Sequence, residues 1–145
     1  MMFALPMLAA ARGISAFGAR DLAGAALWLA SVTGEGIADR QLGRFRSEPS
    51  NRGKVCREGL WAWSRHPNYF FEWLHWWAYP LLAAGSSLAG FAWAGPFVMF
   101  FFLTKITGIP LTEARSLRSR PESYRRYQRE VSAFFPLPPR VGVDE

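Results

Sequence analysis

The sequence holds 145 residues, enough for one ordinary domain, and is 50% hydrophobic and 16% aromatic. Its formal net charge of +6 is compatible with a nucleic acid, an anionic membrane face or a phosphorylated ligand as a partner. The single cysteine, Cys56, excludes an intrachain disulfide and a cysteine-based zinc site.

Residues 1–20 form a short apolar segment at the N-terminus. No basic stretch precedes it, so a secretory signal is not expected, and the remnant of a truncated span is an alternative interpretation. Residues 21–140 are predicted to be one membrane domain, followed by a tail at 141–145.

Three apolar units are predicted inside this domain, over residues 21–39, 68–84 and 88–109. A membrane-spanning helix needs roughly 20 mostly apolar residues, which the third unit supplies. The second unit qualifies if Glu72 and His75 face inward, and the first is marginal. The expected fold is therefore an all-α integral membrane bundle of about three spanning helices.

Basic blocks flank the apolar units, and a short turn at 85–87 joins units two and three. The two basic blocks therefore lie on the same side of the membrane. The positive-inside rule predicts that this is the cytoplasmic side of the cell membrane. Apolar units flanked by arginine argue against a soluble helical core. They also argue against nucleic acid as a partner, because the arginines would lie against the bilayer.

The C-terminal region 121–139 begins as an amphipathic helix, with Tyr124, Tyr127 and Val131 at helical spacing. The proline-rich stretch 134–139 cannot continue it. A basic helix with aromatic residues on one face is typical of a membrane surface, so we expect a cytoplasmic amphipathic helix there.

The run from Arg65 to Glu72 combines groups suited to a ligand site. Arg65 and His66 can meet an anion, and Pro67 stops any helix that arrives from the preceding residues. Asn68 is expected to be the N-cap of the next helix. Glu72 lies one turn further on the same face, and a carboxylate entering an apolar segment is expected to face a cavity or a partner.

Glu35 and Asp39 lie four residues apart on the first unit, where like charges destabilise a helix unless a cation or a ligand balances them. Arg46 and Arg65 are the expected partners, and an interfacial salt-bridge cluster is the alternative interpretation. No metal-ligand spacing is present, and His75 is interpreted as a packing residue. The candidate cofactor-binding residues are Glu35, Asp39, Arg46, Arg65, His66, Asn68, Tyr69, Glu72, Glu113 and Tyr127.

These residues resemble a bacterial membrane-protein family related to the C-terminal domain of steroid 5-alpha-reductases. The matching pieces are Gly59-Leu60-Trp61, Ser64-Arg65-His66-Pro67-Asn68-Tyr69-Phe70 with Glu72, Glu35 with Ala38-Asp39, Gly108-Ile109-Pro110-Leu111 with Glu113, and Tyr124, Tyr127 and Phe134.

The resemblance implies that the domain binds NADPH from the cytoplasmic side. A hydride would then pass to the C=C bond of a hydrophobic, lipid-like substrate such as a steroid or another enone. The family's cofactor contacts fall on Asp39, Arg46, Asn68 and Glu72, and Glu35 stands where the reductases often have an amide. The resemblance implies that the substrate-polarising residues lie on N-terminal helices, for which no counterpart is expected among these residues, so no catalytic residue is assigned.

Two alternatives remain open. The Arg-His-Pro piece and the Tyr-x-x-Tyr tail also resemble the isoprenylcysteine and phospholipid methyltransferases, which use S-adenosylmethionine. Those enzymes carry a Glu-Glu pair, whereas Ala114 follows Glu113 here. The other alternative is a non-catalytic membrane remnant. A chain with three spans is also expected to enclose its pocket with a second copy or a partner membrane protein.

Overall fold

The computed structural model describes residues 18–86 and 89–140. Within these ranges the chain is helical, and an isolated bridge between Ser64 and Ser132 is the single β-type pairing. The all-α prediction is confirmed for this part of the chain. Most of the apolar segment 1–20, the tail 141–145 and residues 87 and 88 at the predicted turn lie outside the described residues.

In chain order, the α-helices of the described ranges are α1 (Ala19–Ser47), α2 (Pro67–Trp76), α3 (Ala78–Ala83), α4 (Ala89–Ala92), α5 (Ala94–Phe101), α6 (Ile109–Ser119) and α7 (Pro121–Glu130). A π-helical turn, Phe102–Ile106, follows α5, and two short 3₁₀ helices, Pro49–Asn51 and Gly59–Ala62, lie between α1 and α2.

Helix α1 is longer than the predicted unit 21–39, because the helix runs on through the first part of the basic block. Its N-terminus is closed by Asp21, whose carboxylate accepts a hydrogen bond of 2.9 Å from the backbone N–H of Gly18. Its C-terminus falls where Glu48 adopts extended backbone angles ahead of Pro49. A residue that precedes proline disfavours the helical conformation, which explains this end point.

Three prolines divide the second and third predicted units. The α2–α3, α4–α5 and π-turn–α6 junctions contain Trp77, Trp93 and Thr107, each three residues before Pro80, Pro96 or Pro110. A proline inside a helix removes a hydrogen bond and clashes with the carbonyl of the previous turn. The two apolar units are therefore chains of short helices.

Helix α1 packs along α2 and α3 at two glycines. A Cβ atom added at Gly34 would overlap the ring of Phe71, and one added at Gly24 would lie 2.8 Å from the side chain of Leu82. Small residues at helix crossings let the backbones approach closely. This close approach sets the distance between α1 and α2, the two helices that carry most of the predicted site.

The aromatic face of α7 is buried in the protein. Tyr124, Tyr127 and Val131 form a cluster with exposures of 5%, 2% and 5%, and Val55 and Leu117 pack against it. The expectation that this face rests on a membrane surface is therefore wrong. The helical spacing was predicted correctly, but the surface that it meets belongs to the same chain.

One segment of the described residues, Ala89–Ser119, is long and apolar enough to cross a membrane by length and composition. Only 22% of its most apolar stretch is buried within the protein, so most of its apolar surface is open. The segment contains the predicted third unit from residue 89 onward. Across residues 18–86 and 89–140, no other helix is both as long and as apolar.

Candidate functional site

A cleft with a volume of about 290 Å³ lies where α1, the start of α2, α6 and α7 meet. Polar and aromatic side chains from all four helices face it, together with residues of the loop that follows α1. Its lining residues are Asp39, Leu42, Phe45, Arg46, Val55, Cys56, Trp61, Arg65, His66, Asn68, Tyr69, Thr112, Ser116, Arg120, Tyr124 and Tyr127.

The cleft brings together most of the residues that the sequence singled out. Seven of the ten candidates line it, namely Asp39, Arg46, Arg65, His66, Asn68, Tyr69 and Tyr127. The remaining three are Glu35, Glu72 and Glu113. They do not line the cleft, and they differ in what they contact instead.

The Asn68 side chain connects α1 and α2, the two helices that carry most of the predicted site residues. Its amide Nδ2 donates a hydrogen bond of 3.2 Å to Asp39 Oδ1 on α1. The prediction that Asn68 is the N-cap is wrong. His66 takes that position and Pro67 is the first helical residue, where a missing N–H is harmless. The Asn68 side chain is thereby free to point into the cleft.

The Oδ1 atom of Asn68 is buried and accepts no hydrogen bond from any described residue. Leaving a buried acceptor unsatisfied costs free energy, so such atoms usually have a partner. Asn68 is also one of the residues that line the cleft.

The Arg65 guanidinium is held by three groups of the protein. Its Nε donates to Glu113 Oε1 at 2.7 Å, and its Nη1 donates to the carbonyls of Gln128 and Val131 at 3.0 and 2.6 Å. The expectation that Arg65 balances Glu35 and Asp39 is therefore wrong. Arg65 contributes little net positive charge to the cleft, because Glu113 neutralises it.

Glu113 connects α6 to the turn before α2 and to α7. Besides Arg65, its carboxylate lies 3.3 Å from His66 Nε2, accepts a bond of 3.4 Å from Tyr124 and accepts one of 2.7 Å from Gln128 Nε2. A carboxylate that is satisfied by four partners is an organising group. Glu113 does not line the cleft itself but contacts His66 and Arg65, which do, and its role as a cofactor contact stays a prediction.

Helix α6 also supplies residues that were not predicted from the sequence. The ring of His66 stacks on that of Tyr69 with a centroid separation of 5.4 Å, and the Tyr69 hydroxyl lies 3.1 Å from Thr112 Oγ1. Ser116 and Arg120 follow Thr112 at intervals of four and line the same cleft. Thr112 and Ser116 share one face of α6, and their spacing could have revealed them, whereas Arg120 follows the last residue of the helix and has non-helical backbone angles.

The floor of the cleft is aromatic and neutral. Tyr127 donates a hydrogen bond of 2.5 Å to the carbonyl of Trp61, whose indole N–H in turn donates to the carbonyl of Ala38 at 2.9 Å. Burial, and secondarily the Glu113 carboxylate, raises the pKa of Tyr124 to about 12, and burial also raises the pKa of Tyr127 and of the Cys56 thiol. Both phenols and the thiol thus stay protonated near neutral pH.

A second cavity of about 370 Å³ adjoins the first and shares the lining residues Phe45, Arg46 and Arg120 with it. It adds Arg52 and Lys54 to the cationic lining, against the one carboxylate of Glu48. Arg46 has no carboxylate within 4.0 Å among the described residues. The combined cleft is therefore aromatic at one end and cationic at the other.

Glu35 and Asp39 on α1 and Glu72 on α2 form a group of carboxylates, of which Asp39 alone lines the cleft. Glu35 interacts electrostatically with both Asp39 and Glu72, and no described cation lies within 4.0 Å of any of the three. The alternative of an interfacial salt-bridge cluster is thus wrong for these residues. The described chain also holds no group of three or more histidine, cysteine, aspartate or glutamate residues arranged around a metal.

His75 is buried away from the cleft, as its interpretation as a packing residue requires. Its Nε2 lies 2.7 Å from the hydroxyl of Tyr79, and its ring meets that of Trp28 edge-on at 6.2 Å. These contacts join α1, α2 and α3.

Comparison with known proteins gives a family but no activity. A protein of Schizosaccharomyces pombe that is itself described as uncharacterized is 41% identical over 83 residues, which cover 54% of this chain and 22% of that protein. The chain thus spans only about a fifth of the length of this relative. No solved structure matches. Residues 1–131 match a family model, and the chain therefore belongs to the family described as "Protein of unknown function (DUF1295)".

Proposed function

We propose that this chain is a membrane-embedded domain that binds NADPH in the cleft and serves the reduction of a C=C bond in a lipid-like substrate. The observation that carries the proposal is a pair of adjoining cavities that share Phe45, Arg46 and Arg120, one aromatic and amide-bearing, the other cationic. NADPH has the matching chemistry, since a neutral nicotinamide ring and a phosphorylated adenosine are joined by a diphosphate. The resemblance to the steroid 5-alpha-reductase C-terminal domain supports the same cofactor.

The membrane placement is supported by open apolar faces on two different helices. On α5, Phe97 and Phe101 are 63% and 55% exposed, and on α1, Leu22 and Leu29 are 61% and 58% exposed. Monomeric soluble proteins rarely leave large contiguous apolar patches uncovered. We propose that α1, the α2–α3 pair and the segment from α4 to the π-helical turn are the three spans.

The cytoplasmic side is proposed from the position of the cations. The open apolar face of α1 gives way to Arg40 and Arg44, and that of the third unit gives way to Lys105 and then to the arginines of α6. Both transitions place positive charge at the end of the bundle that holds the cleft. The positive-inside rule assigns this end to the cytoplasm, where NADPH is available.

Charge favours NADPH over S-adenosylmethionine as the ligand. Arg46, Arg52, Lys54 and Arg120 line the two cavities, whereas Asp39 and Glu48 are the carboxylates that line them. A cationic site stabilises an anionic ligand and repels the sulfonium of S-adenosylmethionine. Glu113, the residue expected near the methionine amine, is already engaged by Arg65.

The residues have separate roles in binding. Asn68 Oδ1 would accept the N–H of the nicotinamide carboxamide, and Tyr69, stacked on His66, would border the ring. Arg46 and Arg120 would hold the diphosphate at the junction of the two cavities, and Arg52 and Lys54 the phosphate at the far end. NADPH would supply a hydride when bound, and the residues named here would hold and orient its nicotinamide for a hydrophobic substrate. A second copy or a partner membrane protein would complete the substrate side.

The decisive experiment is equilibrium binding of NADPH and S-adenosylmethionine to the purified full chain in detergent. We expect NADPH to bind and to weaken with rising salt, since charge pairing is screened. Binding of S-adenosylmethionine alone would support the methyltransferase alternative. Binding of neither cofactor would support the non-catalytic remnant.

A further inference from the structure

A third cavity, of about 260 Å³, lies on the other side of Arg65, between the end of α7 and residues 137–140. The chain folds back here because the Leu137 N–H donates to the carbonyl of Trp63 at 3.0 Å and the Arg140 N–H donates to that of Glu130 at 2.8 Å. The cavity is lined by Arg65, Gln128, Arg129, Glu130, Val131, Ser132, Ala133, Leu137, Pro138 and Arg140.

The third cavity carries uncompensated positive charge. Glu130, the carboxylate of its lining, is bound to Arg57 and lies 3.3 Å from Arg126. Arg129 and Arg140 are both exposed. Neither has a carboxylate within 4.0 Å in the part of the chain that the structure describes. Two guanidinium groups therefore remain for an anion, and guanidinium groups suit phosphate oxygens.

The rim beside these arginines is apolar and open. Trp63, Phe135 and Leu137 are 48%, 45% and 54% exposed. The ring of Phe135 lies 6.2 Å from that of Phe100, which belongs to the open apolar segment next to the exposed Phe101. Phe135 thus connects the candidate span to the segment that leads to Leu137, which lines the cationic cavity.

We infer that this cavity binds the headgroup of an anionic phospholipid, with its phosphate at Arg129 and Arg140 and its acyl chains against Leu137 and Phe135. The inference rests on the membrane placement in the proposed function, but not on NADPH binding. A phosphate site bordered by exposed aromatic and aliphatic side chains fits a lipid at the membrane interface. A soluble phosphate would leave the apolar rim uncovered.

The test uses the full chain in nanodiscs of equimolar phosphatidylcholine and phosphatidylglycerol, with the lipids that remain bound identified by native mass spectrometry. We expect phosphatidylglycerol to be retained over phosphatidylcholine by about fivefold or more. The double variant Arg129→Ala/Arg140→Ala should lose this preference. The matched control Arg115→Ala/Arg118→Ala removes the same charge from α6 and should keep it.

The variant Leu137→Ser separates lipid from phosphate chemistry. It keeps both arginines and removes an apolar contact that both lipids would share. A site for phosphate alone would retain as much phosphatidylglycerol as the wild type, whereas a lipid site should retain markedly less. No preference in the wild-type chain, or equal loss in both arginine double variants, would overturn the inference. If the chain inserts and binds NADPH without preferring phosphatidylglycerol, the lipid site alone falls. If it does not enter nanodiscs at all, the membrane placement falls with it.

Discussion

Arg65 and Glu113 form an ion pair of 2.7 Å between residues that are 48 positions apart in the sequence. Their side chains are 10% and 15% exposed, so the pair lies largely away from solvent. It connects the turn before α2 to α6, and through the Arg65 bonds to the end of α7 it fixes three walls of the cleft. The pair accordingly shapes the site more than it contacts a ligand.

Replacing this carboxylate should destabilise the fold. Glu113→Gln leaves the Arg65 charge without its partner in a partly enclosed site, and we expect a loss of about 2 kcal/mol, below the roughly 3–5 kcal/mol of fully buried pairs. The measurement is the unfolding free energy in detergent, followed by tryptophan fluorescence. Glu122→Gln, an exposed change of the same kind on α7, is the control. Equal stability of the two variants would mean that the ion pair contributes nothing measurable.

The all-α fold and seven of the residues that line the cleft could be predicted from the sequence. The contacts that each of these residues makes could not. The spacing in the Arg65–Glu72 run and the i, i+4 pair Glu35 and Asp39 are local patterns, so they indicate helix faces. The partner of Arg65 is a tertiary fact that no local pattern contains. The same limit explains Tyr124 and Tyr127, whose spacing predicts an amphipathic helix but not whether its apolar face meets lipid or protein.

The N-cap of α2 could not be predicted from the local sequence either. Asn68 is a good N-cap by residue type, but the helix starts one residue earlier because Pro67 already has the backbone angle of a first helical residue. Because the helix starts one residue earlier, Asn68 does not cap it and lines the cleft instead. The earlier start also keeps Glu72 on the helix face one turn beyond, outside the lining.

This placement separates two residues that the sequence treated alike. Asn68→Ala removes the buried acceptor, and we expect NADPH affinity to fall about tenfold, the size of one hydrogen bond left unmade. Glu72→Ala should weaken binding by less than about threefold, because its carboxylate does not line the cleft. Titration of each purified variant with NADPH gives the comparison, and Arg118→Ala serves as the surface control. A larger loss from Glu72→Ala than from Asn68→Ala would contradict the binding geometry.

The cationic end of the cleft should determine the preference for a phosphorylated cofactor. In the double variant Arg52→Ala/Lys54→Ala we expect NADPH affinity to drop about tenfold, since the two charges that are proposed to face its terminal phosphate are lost. NADH lacks the phosphate on the adenosine ribose, so the affinity for NADH should stay nearly constant. Dissociation constants for both cofactors are the readout, and Arg115→Ala/Arg118→Ala controls for general charge. If both cofactors lose affinity equally, the second cavity is not the phosphate site.

Two glycines on the same helix offer a matched test of the α1–α2 contact that positions Asp39 opposite Asn68. Gly34 touches the ring of Phe71, whereas Gly43 has open space around the position of a Cβ atom. Gly34→Ala should destabilise the protein by about 1–3 kcal/mol, because the added methyl overfills a packed contact. Gly43→Ala should stabilise α1 by about 0.5–1 kcal/mol, since alanine loses less conformational entropy in a helix. The unfolding free energies of the two variants are the measurement. A gain in stability from Gly34→Ala would show that α1 and α2 do not approach each other at this residue. NADPH affinity should follow the same order, because separating α1 from α2 parts Asp39 from Asn68 and opens the amide end of the cleft.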